Sequence, residues 1–79
     1  MNEQEAYNKV KKEANNILGG IGLHWDDLAD SVSIWDWVDD GMSDKNVKST
    51  AKDVCWDKLT NDGMPNEMAT NICYGQDAI

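Results

Sequence analysis

The sequence predicts an all-α fold, a small bundle of four to five short helices in a single domain covering residues 1–79. Apolar residues recur at helical spacing in several stretches, and the alternation that marks a half-buried strand is missing from all of them. The length agrees, because 79 residues hold one domain with connections of only a few residues between elements.

Asn2 with Glu5 three residues later forms a capping box, and Ala6, Val10, Ala14 and Ile17/Leu18 follow on one face, flanked by Tyr7. Gly19-Gly20 is expected to end this first helix, before a glycine-punctuated loop through His24. Residues 25–41 are acidic and aromatic together, and Ser31 and Ser33 suit caps better than helix interiors. Two pieces are predicted there: a short helix over residues 26–31, and a second over residues 34 to about 40 with Ser33 as cap and Asp36 in its first turn.

Ser43 or Asp44 should cap a longer helix running to about Leu59. Its apolar face is Val47, Ala51, Val54/Cys55 and Leu59, with Lys45, Lys48, Lys52, Asp53, Asp57 and Lys58 mostly off that face. Asn61-Asp62-Gly63 signals a turn, and Pro65 suits the first turn of a last helix that carries Met68, Ala69, Ile72 and Cys73 and ends near Gly75. Residues 76–79 are expected to fray.

Fifteen acids against seven lysines, with no arginine, give a formal charge of −8. Affinity for nucleic acid comes mainly from cations that neutralise phosphates, so direct nucleic-acid binding is excluded, and acidic membranes are excluded on the same ground. Met1 leads into Asn2-Glu3-Gln4-Glu5 without a basic start or an apolar run, so neither a signal peptide nor a membrane span is expected. Two separated cysteines, Cys55 and Cys73, make no disulfide scaffold, and a reduced, cytoplasmic setting follows. A single core in so short a chain supplies only about 3 to 5 kcal/mol, so a homodimer or another partner is expected to add stability.

The charge is concentrated. Residues 24–44 hold Asp26, Asp27, Asp30, Asp36, Asp39, Asp40 and Asp44 with no lysine, while the flanking parts nearly balance. One reading is a solvated face that keeps the chain soluble. Against it, all seven acids are Asp, a mediocre helix former, and no lysine at i+3 or i+4 within the segment relieves their repulsion. If helical, Asp26 with Asp30, and Asp36 with Asp39 and Asp40, lie about 5 to 6 Å apart on shared faces. Such a row imitates phosphates, though thinly: a 21-residue helical path of about 30 Å carries one charge per roughly 4.5 Å, against one per ~1.7 Å of duplex axis. One copy would therefore stand in for part of one strand, and a dimer would be needed for a longer track.

The chain also has four tryptophans and no phenylalanine. Trp35 and Trp37 are two residues apart, so they cannot share a helix face, and one should reach a surface or interface. Large aromatics there serve as partner anchors as readily as half-buried packing groups, whereas Trp25 and Trp56 are expected in the core.

Catalytic and metal chemistry finds little support. On a calcium loop from Asp36 to Val47, Val38 and Val47 would fall where ligands are required. His24, Cys55 and Cys73 lack the paired spacing of a zinc site, and Gly19-Gly20-Ile21-Gly22 has neither the lysine nor the strand of a phosphate loop. A Cys–His nucleophile would need partners that meet only in space, and no substrate cradle accompanies it. The expectation is therefore a protein that is no enzyme and carries no cofactor and no metal.

The runs Asp26-Asp27-Leu28-Ala29-Asp30 and Ile34-Trp35-Asp36-Trp37-Val38-Asp39-Asp40 resemble the acidic segment of the Ocr family of phage antirestriction proteins. Ala69-Thr70-Asn71-Ile72-Cys73-Tyr74 is similar to an Ala-x-x-Ile-Tyr run of related small phage proteins, and small acidic anti-CRISPR proteins form a looser comparison group. The resemblance implies a helical, commonly dimeric protein that imitates DNA to block a restriction enzyme or CRISPR effector in the host cytoplasm. Mimicry would fall on Asp26, Asp27, Asp30, Asp36, Asp39, Asp40 and Asp44, with Trp35 and Trp37 beside them. The partner would be a bacterial nucleic-acid-binding defence protein. The alternative is an interaction module that binds a host regulatory protein through an apolar patch around Trp35 or Trp37.

Overall fold

The computed structural model describes residues 2–28 and 32–75. Among them lie three α-helices: α1 (Glu3–Gly19), α2 (Asp44–Asn61) and α3 (Asn66–Tyr74). The all-α class holds, but there are fewer helices than the four to five expected. The two pieces predicted between α1 and α2 are single 3-10 turns, Trp25–Asp27 and Ile34–Asp36. Consecutive aspartates and serines have weak helix propensity and compete for backbone hydrogen bonds, which explains why these pieces stop after one turn. Ser33 occupies the capping position of the second turn without a side-chain capping bond. The expected end of the first piece at Ser31, and the fraying of residues 76–79, lie outside the described residues.

The longer helices follow their patterns. Asn2 Oδ1 accepts the Glu5 N–H at 2.8 Å, and Ala6, Val10, Ala14 and Leu18 are all buried on one face of α1. α1 ends at Gly19 with Gly20 in the capping position, as expected, and a closing turn follows it. Leu23 N–H donates to Leu18 C=O at 3.0 Å and Gly22 N–H to Gly19 C=O at 3.2 Å, with Gly22 at φ 77°. This nested pair is a Schellman closure, and it makes Gly22 the residue that reverses the chain. The same arrangement ends α2: Met64 N–H donates to Leu59 C=O and Gly63 N–H to Thr60 C=O, both at 3.1 Å, with Gly63 at φ 104°.

Ser43 Oγ accepts the Asn46 N–H at 3.2 Å to open α2, whose buried residues are Val47, Ala51, Val54, Cys55, Lys58 and Leu59. Lys58 corrects the sequence expectation: it is 1% exposed, and its Nζ lies 4.5 Å from the centre of the Trp25 ring. Position 58 continues the 47, 51, 54 stripe, so its backbone faces the core whatever its side chain carries, and the ring face accommodates the ammonium. Pro65 occupies the capping position of α3, which buries Ala69 and Cys73. α1 packs chiefly on α2, and α2 on α3, in a body measuring 33 × 28 × 18 Å.

Candidate functional site

The connection between α1 and α2 is the candidate site, and its buried residues determine what it exposes. Trp25, Leu28, Ile34 and Val38 all belong to the core. Trp25 is fixed twice, since its backbone N–H donates to Asn15 Oδ1 on α1 at 2.7 Å while its ring lies under Lys58. Four apolar anchors thus belong to the core, and the aspartates described between them, Asp26, Asp27 and Asp36, are exposed.

Asp26, Asp27, Asp36, Asp39, Asp40 and Asp44 are all exposed, and Asp30 lies outside the described residues. They do not form the continuous helical row considered from the sequence. Asp26 and Asp27 lie in the first 3-10 turn and Asp36 in the second. Asp39 and Asp40 are in non-helical chain before Gly41, whose φ of 79° turns the backbone toward α2. The absence of lysines within the segment also does not leave every aspartate unpaired, because α1 supplies counterions. Lys11 Nζ lies 3.4 Å from Asp26, and Lys9 Nζ lies 3.7 Å from Asp44. The Asp26 backbone N–H donates to His24 Nδ1 at 3.2 Å, and the same ring nitrogen lies 3.7 Å from the Asp26 carboxylate.

Asp44 thereby belongs to a mixed-charge groove with Lys9, Lys12, Glu13, Val47 and Lys48. Asp27, Asp36, Asp39 and Asp40 have no ion pair among the described residues. Among the described residues, these four are the unneutralised members of the acidic surface.

Trp35 and Trp37 stand within this same stretch, 44% and 37% exposed. Their two-residue spacing predicts one of them at a surface; both are. Trp35 stacks on Tyr7 of α1, with ring centroids 4.2 Å apart and planes inclined by 19°, so one face of the indole is held and much of the rest is open. Trp25 is buried as expected, whereas Trp56 is half-buried and donates its Nε1–H to Thr70 Oγ1 at 3.0 Å.

One cluster was missed from the sequence. Cys55 and Cys73, read there as isolated, have their Sγ atoms 3.0 Å apart across the α2–α3 interface, both as free thiols. Beside them, the hydroxyl of Tyr74, next after Cys73, donates to Oδ1 of Asp53 on α2. The signal was available: with a turn centred near Met64, Cys55 and Cys73 are equidistant from it, as an antiparallel helix pair requires. Burial, together with the hydrogen bond to Asp53, raises the Tyr74 phenol above its ordinary value.

Among the described residues no three or more His, Cys, Asp or Glu side chains gather to hold a metal, and no helix is long and apolar enough to cross a membrane. No protein family, curated protein or solved structure matches the chain.

Proposed function

We propose that this chain is a phage-type inhibitor of a bacterial nucleic-acid-targeting defence protein, a CRISPR effector or a restriction enzyme, that works in the host cytoplasm by occupying a basic nucleic-acid-binding site. The observation that carries the reading is the exposure of Asp27, Asp36, Asp39 and Asp40, without ion-pair partners among the described residues, on a segment anchored by four core residues. Complementary charge speeds encounter with a basic site. With the aspartates on turns rather than along one helix, the mimicry is of a short cluster of phosphates and not of an extended duplex.

Reversal of Asp36, Asp39 and Asp40 to lysine tests this. Inhibition of the target should disappear while the helical circular dichroism stays intact, because all three side chains are exposed. Full inhibition by the reversed protein would refute the charge mechanism.

A second reading rests on the exposure of Trp35 and Trp37: an interaction module that binds a host regulatory protein through this apolar pair. Such binding would change little with salt and would be lost in Trp35→Ala or Trp37→Ala.

A further inference from the structure

α3 has nine residues, fewer than the roughly 12 to 15 at which an isolated helix becomes even marginally stable in water, so its helicity depends on attachment to α2. That attachment uses a few identifiable contacts: Trp56 Nε1–H to Thr70 at 3.0 Å, Tyr74 to Asp53, burial of Ala69, and the Cys55–Cys73 pair. The thiols are 0% and 3% exposed, and their sulfurs face each other at 3.0 Å with no atom between them to be displaced. A disulfide requires an S–S separation of ~2.05 Å, so the sulfurs need to approach by about 1 Å, a movement within reach of side-chain rotation.

We propose that Cys55 and Cys73 form a reversible disulfide site, oxidised by a small-molecule disulfide of the glutathione type, that fastens α3 covalently to α2. Cys73 lies one residue from the end of α3, so opening of that final turn is the route by which reagent reaches the pair. The Cys73 S–H beside Cys55 holds the Cys55 thiol below its ordinary value despite burial, which favours Cys55 as the first thiolate.

The chemistry balances as two exchanges. The Cys55 thiolate attacks one sulfur of oxidised glutathione; a Cys55–glutathione mixed disulfide forms and one glutathione thiolate leaves. Cys73, giving its proton to solvent, attacks Cys55 Sγ and expels the second glutathione. The two cysteines lose two electrons and two protons in total, and one oxidised glutathione becomes two reduced ones. The closed loop spans an 18-residue separation.

The native wild-type protein is incubated with oxidised glutathione, quenched in acid, denatured, alkylated and weighed intact. The expected product is a monomer lighter by two hydrogens, without alkyl groups, in which a peptide linking Cys55 to Cys73 is found after digestion and dithiothreitol restores both thiols. Its melting temperature should rise by about 10 °C or more over the reduced form. Cys73→Ser should stop at a single glutathione adduct on Cys55. If that variant does not fold, the peptide map of the wild type decides alone. Two alkylated thiols, separate glutathione adducts on both cysteines, or a bond that forms only in denaturant or only between molecules would each overturn the proposal.

Discussion

At the scale of single residues, two side chains carry more of the structure than their chemistry suggested. Lys58 extends four methylenes through the core and sets its ammonium against the Trp25 ring. Lys58→Ala removes both stem and charge and is expected to lower stability by about 2 to 3 kcal/mol in urea denaturation. Lys58→Met retains most of the stem and should remain within about 1 kcal/mol of wild type, because packing of the chain outweighs an ion–ring attraction offset by desolvation. Equal losses in the two variants would show that the ammonium dominates. Tyr74 supplies a pH dependence. Its phenol is raised by burial and by the bond to Asp53, so the folded state favours the neutral form. The stabilisation is complete below the ordinary phenol value of about 10 and is lost as pH climbs through the raised folded value. Tyr74→Phe should therefore differ less from wild type at strongly alkaline pH than at neutral pH, as read by melting temperature across that range. A difference that does not change with pH would contradict this account of the phenol.

At the scale of elements, the helix stops separate glycines that the sequence ran together. Gly19 is helical and exposed, and an added Cβ there meets nothing within 4 Å, whereas Gly22 has the same free space but a φ of 77°. Gly19→Ala should stabilise the protein by about 0.5 to 1 kcal/mol through a less disordered unfolded chain, and Gly22→Ala should destabilise it by about 1 to 2 kcal/mol because of left-handed backbone. Thermal melts of the two variants should move in opposite directions. The bounds of α1, α2 and α3 were legible because caps, apolar period and turn residues agree along each of them, as with Asn2 and Glu5 or Asn61-Asp62-Gly63. Between α1 and α2 they conflict: Leu28 and Val32 keep a helical stripe, while serine and aspartate propensity opposes it, and local propensity decided against extended helix. The burial of Lys58 was hidden for the opposite reason, since a residue assigned to solvent by its charge lies on the core stripe by its position.

At the scale of the whole molecule, the acidic surface was legible as composition but not as geometry. A count of seven aspartates contains no information on which of them meet lysines from another helix; Lys9 and Lys11 reach Asp44 and Asp26 only because α1 runs beside the segment. The proposed inhibition accordingly predicts a graded effect. Replacing Asp27, Asp36, Asp39 or Asp40 by asparagine should lower the association rate with the target, and the loss should shrink as salt rises toward about 1 M, where the screening length falls to ~3 Å. Asp44→Asn should matter less, since Lys9 already faces that carboxylate. Stopped-flow mixing at several salt concentrations measures this, and rates independent of salt would favour the tryptophan patch instead. Those same indoles have a practical consequence. Trp25 is sealed under a lysine while Trp35 and Trp37 are open to water beside the acidic turns. An uncharged quencher such as acrylamide will therefore reach the two outer rings before Trp25. Any macromolecule that settles over this face will shield them, so its arrival is visible in unlabelled protein.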